Sequence, residues 1–110
     1  MSRPDLQLQL TVLFCSVSLA LVAFAQAPAE TALTSNPAYE KNCAKCHGKS
    51  AEGRHFAGPP LRSDKVAGAS DDDLRNMITN GKERMPKFGG KLTTVEIDTL
   101  VQEIRALNKK

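Results

Sequence analysis

Residues 43–47 read Cys-Ala-Lys-Cys-His, and this C-x-x-C-H run constrains the chain more than any other feature. Two thiols one helical turn apart share a face, so both can add across the vinyl groups along one edge of a single porphyrin. The imidazole that follows Cys46 then lies under the metal. The run is the attachment signature of a c-type haem, with His47 as the proximal iron ligand. Three other uses of the same residues fit less well. A thioredoxin-like pair needs a βαβ setting, and the chain has almost no strand-like alternation. A zinc site from Cys43, Cys46, His47 and His55 lacks the usual spacings, and adjacent helical side chains such as Cys46 and His47 diverge by about 100°. A Cys43–Cys46 disulfide would close too short a loop to stabilise much.

The ends of the chain are read separately from its middle. An apolar stretch of 16 residues runs from Leu10 to Ala25, interrupted only by Thr11, Cys15, Ser16 and Ser18. Ala23-Phe24-Ala25 has the small-x-small form of a signal-peptidase site, so residues 1–25 are expected to be a signal peptide cleaved after Ala25. The alternative is an uncleaved anchor, for which the run is shorter than the roughly 20 residues a bilayer span requires. Of the three cysteines, Cys15 would leave with the signal, and Cys43 and Cys46 would remain for the haem. Residues 26–36, polar and without periodicity, are expected to be a linker, and residues 37–110 the folded domain.

A domain this small rarely sustains a core unaided. The chain has no Trp, one Tyr and four Phe, and two of those, Phe14 and Phe24, fall in the signal. A buried porphyrin would supply the missing apolar mass. Three helices are expected around it. Asn36 caps the first with Pro37 at its opening position, and that helix carries Tyr39 and the Cys43–His47 run before stopping near Gly48. Ser70 and Asp73 form a capping box for the second, whose apolar positions are Leu74, Met77 and Ile78 and which Gly81 ends. The run Asp71–Asp73 is read as complementing the helix dipole rather than as a metal site. Thr93 and Glu96 cap the third, where Ile97, Leu100, Val101, Ile104 and Leu107 recur at helical spacing. Between the first two lie 22 residues, Gly48–Ala69, expected to form a loop that wraps the cofactor.

Iron bound by His47 has a second axial position. Met77 lies on a helical apolar stripe and reads as core, and His55 lies in a hydrophilic stretch and reads as solvated. Met85 sits between Gly81 and Gly89-Gly90 and precedes Pro86, which disfavours helix there. An extended strap of that kind can lay a thioether on the iron, and Met85 is the expected sixth ligand. A soft thioether favours reduced iron and raises the potential. With both axial positions taken by protein, such a site carries electrons and leaves no place for oxygen or peroxide.

With Cys43–His47 followed by Met85-Pro86 and an amphipathic last helix, the chain resembles the small monohaem class I cytochromes c of bacteria over residues 37–110. The resemblance implies an all-α fold of about three main helices with loops wrapped around one covalent haem c. Tyr39 resembles the aromatic of the family's first helix. Gly58-Pro59-Pro60-Leu61 resembles its G-P-x-L turn, which implies that the Pro59 carbonyl accepts a hydrogen bond from His47 Nδ1. Met85-Pro86-Lys87-Phe88 resembles the distal strap, and Leu100 the residue that packs on the first helix. Three residues later the family's usual aromatic is replaced by Glu103, which would weaken that helix contact. The resemblance further implies haem attachment outside the cytoplasm, hence a periplasmic protein or one anchored facing the periplasm.

The implied function is one-electron shuttling between periplasmic or membrane redox partners by a monomer that is not an enzyme. Two rival classes are a fixed electron-transfer subunit of a dehydrogenase or oxidase complex, and a five-coordinate haem peroxidase or gas sensor. Loss of residues 1–25 removes only Arg3 and Asp5 among the charges, so the net +3 is retained, too small an excess for nucleic-acid binding. Lys82, Arg84, Lys87 and Lys91 surround Met85 and would form a basic rim steering an acidic redox partner.

Overall fold

The computed structural model describes residues 31–110. The expected signal peptide, its cleavage after Ala25 and the first five residues of the expected linker lie outside the described residues.

The described chain is helical, with five helices and no strand among the described residues. Asn36 Oδ1 accepts the Ala38 N–H at 2.8 Å and Pro37 opens α1, Pro37–Asn42. The single helix expected through residue 47 is divided at Cys43, whose backbone (φ −114°, ψ −38°) ends α1 and caps α2, Ala44–His47. The turn remains continuous, because the Cys43 carbonyl accepts the N–H groups of both Cys46 (3.1 Å) and His47 (2.9 Å). The 22-residue loop contains a helix the periodicity did not reveal, α3, Asp64–Gly68, capped by the Ser63 side chain on Val66 N–H. Asn108 holds it from the far end of the chain, accepting from Ser63 N–H (3.0 Å) and donating to Leu61 O (2.9 Å).

Helix α4, Asp71–Asn80, and helix α5, Thr94–Leu107, start with the two expected capping boxes. Helix α5 packs against both α1 and α4. All five of its expected core positions are buried, together with Tyr39, Leu74, Ile78, Phe88 and Leu92. Arg75 bridges α4 to α5 through Asp98 (2.6 Å). Arg105 of α5 reaches back to Asp71 and to the carbonyls of Ala67 and Ala69. These links fix the α3–α4 corner against α5.

Two expectations about the N-terminal region change. Residues 31–36 are not a linker in this fold: they form a turn whose Leu33 is fully buried in the core. An apolar side chain in a polar run has no periodicity to betray it, yet burying it gives about 1.5–3 kcal/mol. The packed chain therefore begins before Pro37. Glu103, expected only to weaken the contact between the first and last helices, accepts a 2.7 Å hydrogen bond from Asn36 Nδ2. A polar tie across 67 residues thus stands where only a weakened contact was expected.

Candidate haem site

His47 is 8 % exposed, and its Nδ1 lies 2.8 Å from the Pro59 carbonyl. Only a protonated Nδ1 can donate to a carbonyl, so this contact sets the tautomer and leaves Nε2 as the free lone pair. Two features bring Pro59 there. Gly53 N–H donates to His47 O (2.7 Å), turning the chain back on α2. Gly58 then passes so close that an added methyl would lie 2.9 Å from Cys46 O and 3.2 Å from His47 Nδ1. The absence of a side chain at Gly58 is what lets Pro59 approach.

Cys43 and Cys46 are free, half-buried thiols one turn apart. Before haem attachment, burial, and secondarily the neighbouring Cys46, pushes the Cys43 thiol up to about 11. Arg54 Nη1 donates to Lys45 O (2.8 Å), closing the C-terminal end of α2. Tyr39 OH donates to Gly48 O at 2.7 Å. Burial is the chief cause that raises this phenol to about 12, which keeps the proton it donates. No sequence pattern indicated this tie, although the aromatic at residue 39 was singled out.

Met85 is half-buried and packs against the core. It belongs to a tight turn in which Lys82 N–H donates to Met85 O (3.1 Å) and Met85 N–H to Lys82 O (2.9 Å). Beyond it, Phe88 N–H and Gly89 N–H donate to Ile78 O and Thr79 O, both at 3.0 Å, laying the strap along the end of α4. Met85 is therefore pinned on both sides. Met77 is half-buried on α4, and His55 is exposed with its ring edge-on to Phe56. Among the described residues no three His, Cys, Asp or Glu side chains gather as a metal cluster, so the zinc arrangement of Cys43, Cys46, His47 and His55 is not formed.

The donor set suits a haem: two free thiols at one edge, an oriented imidazole with Nε2 uncommitted, and a thioether on a pinned strap. Among the described residues one buried side-chain polar atom, Asn42 Oδ1 immediately before Cys43, has no hydrogen-bond partner. All four basic residues around Met85, Lys82, Arg84, Lys87 and Lys91, are exposed. Arg84 Nη1 donates to Phe56 O (3.4 Å), and Lys91 Nζ lies 5.9 Å over the Phe88 ring.

Residues 30–102 match the family described as cytochrome c oxidase, cbb3-type, subunit III. The chain is 30% identical over 107 residues to a cytochrome c6 of Porphyra purpurea, covering 92% of this chain and 94% of that one. It is likewise 30% identical over 108 residues to a cytochrome c6 of Pyropia yezoensis, covering 93% and 96%. In three dimensions it is similar to the KustC0563 c-type cytochrome, with a TM-score of 0.58 and 25% identity over 64% of this chain and 93% of that one. The chain therefore belongs to the cytochrome c family matched over residues 30–102, as a small monohaem electron carrier with one covalently bound haem c.

Proposed function

We propose that Cys43 and Cys46 hold the haem as thioethers and that His47 and Met85 are its axial ligands, with Pro59 orienting His47. The haem supplies one-electron exchange between ferric and ferrous iron. The protein residues do the rest. Pro59 fixes the imidazole plane and its tautomer. The Lys82–Met85 turn and the strap contacts to Ile78 and Thr79 hold Met85 in one place, so little need rearrange when an electron moves. A thioether ligand from Met85 would raise the potential relative to a second histidine. The observation that carries this reading is the buried imidazole whose Nδ1 is committed to Pro59 O at 2.8 Å.

The partners are redox proteins, and Lys82, Arg84, Lys87 and Lys91 form the basic rim that an acidic partner meets. We place the protein in the periplasm after loss of residues 1–25. No helix among the described residues is long and apolar enough to cross a membrane. A second reading, a fixed subunit of an oxidase complex, draws on the description of the matched family. Native gel filtration separates the two, since a fixed subunit elutes with its complex.

The ligation is tested on the holoprotein by a pyridine haemochrome assay and by the weak far-red sulfur-to-iron band of the ferric form. That band should be present, lost in Met85→Ala and retained in Met77→Ala. A high-spin ferric spectrum in the wild type, altered by peroxide, would refute it.

A further inference from the structure

Phe56 is left in solvent by a fold that has few aromatic side chains to spare. It is 84 % exposed, against 4 % for Phe88, and contributes nothing to the core. Its backbone is also unfavourable: φ is +61°, the left-handed region that bulky residues avoid. The turn that imposes this is closed by Arg54 N–H on Gly58 O (2.9 Å) and Gly58 N–H on Arg54 O (3.2 Å). A glycine at 56 would remove both the strain and the exposed ring. Strain of this kind persists at functional positions more than elsewhere.

The turn is also held on both sides. Arg54 Nη1 ties it to Lys45 O on the helix that carries Cys46 and His47. Arg84 Nη1 ties Phe56 O to the strap that carries Met85. The His55 ring, 4.0 Å away between centroids, flanks the Phe56 ring. A rigid aromatic is thus presented between the two halves of the haem site. Arg54 and Arg84 spend N–H groups on backbone carbonyls but form no ion pair among the described residues, and Lys45, whose carbonyl Arg54 meets, is exposed. An apolar knob flanked by two guanidinium groups fits an apolar hollow edged with carboxylates.

We propose that the Phe56 turn is the apolar anchor by which this protein seats on such a redox partner, with Phe56 filling the hollow and the basic rim guiding its approach. The inference rests on the docking rim proposed above and deepens it: charge sets the rate of encounter, and Phe56 sets how long the encounter lasts.

The test follows oxidation of the reduced holoprotein by respiratory membrane vesicles from the organism that makes it, at low and high ionic strength. Phe56→Ala should lower the second-order rate roughly tenfold at both, the loss expected on truncating an interface anchor. Phe56→Gly should slow it at least as much while raising the thermal midpoint, because the left-handed strain is relieved. Lys82→Glu with Lys87→Glu should slow the reaction at low salt only. Unchanged rates in both Phe56 variants would overturn the anchor. So would a shift of the haem spectrum or potential in Phe56→Ala, which would place the ring against the cofactor, or a change in sedimentation, which would place it between copies of the chain. If the charge variant has no effect while Phe56→Ala slows the reaction, the rim fails and the anchor stands. If the membranes do not oxidise the wild type, both fall.

Discussion

Gly81→Ala is the substitution for which the structure gives the sharpest expectation. Gly81 ends α4 with φ +73° and ψ 172°, a region open almost only to glycine. Placing a side chain there costs about 1–3 kcal/mol from the backbone alone. The added methyl would also meet Met85 O at 2.5 Å, Pro86 C at 2.9 Å and Lys87 N at 3.0 Å. All three are backbone atoms, so no side-chain rotation relieves the clash, and overpacking of this kind adds about 1–3 kcal/mol. Together these give a loss of roughly 2–6 kcal/mol, a large part of the 5–15 kcal/mol typical of a domain. The cheapest relief is to push the strap outward, and the strap carries Met85. Denaturant unfolding of the ferric holoprotein should therefore show a loss in this range, accompanied by weakening of the far-red band. Gly90→Ala is the control, because a methyl there meets nothing within 4 Å. It should leave the band intact and stability within about 0.5 kcal/mol. A Gly81→Ala protein with full band intensity and wild-type stability would refute the reasoning. Lost stability with an intact band would refute the coupling between Gly81 and the position of Met85.

Tyr39→Phe removes the 2.7 Å donation to Gly48 O, but Ala51 N–H still reaches that oxygen at 3.2 Å. The cost should thus be about 1 kcal/mol rather than that of an orphaned carbonyl, and a loss above about 3 kcal/mol in urea unfolding would contradict this account. Acid sensitivity follows from α4. The Arg105 hydrogen bond holds Asp71 below its ordinary 3.8, and the Ser70 side chain does the same for Asp73. The unfolded chain then binds more protons, so their contribution to stability is present above pH 3.8 and is lost as pH falls through the lower folded values. Melting curves between neutral pH and the acid limb should show a shallower fall in Asp71→Asn than in the wild type, and identical slopes would count against it.

Much of this protein is legible along the chain because the atoms involved are close together in it. The pairs Asn36–Ala38, Ser70–Asp73 and Thr93–Glu96 lie within three residues of each other, so the caps that start α1, α4 and α5 are written locally. The apolar spacing of α5 identified its buried face for the same reason, and the C-x-x-C-H run places two thiols and an imidazole on one turn. Helix α3 escaped because five residues carry too little periodicity, and its support comes from Asn108, 45 residues beyond Ser63.

What tertiary structure alone decided is what depends on distant parts meeting. Leu33 reads as an isolated apolar residue in a polar lead, and only the assembled core makes it fully buried. Glu103 reads as a missing aromatic until Asn36, 67 residues earlier, arrives as its donor. Met85 could be singled out from Pro86 and its flanking glycines, but the turn with Lys82 and the bonds to Ile78 and Thr79 that pin it appear only in the fold. Phe56 gave no signal at all. A lone Phe in a polar stretch is ordinary in sequence, and its exposure and left-handed backbone exist only once the Arg54–Gly58 turn is tied to both Lys45 and Arg84. Local spacing thus determined the chemistry this chain can host, while long-range contacts determined how that chemistry is held and which surface it shows, because chain distance carries no information about which separated groups will meet.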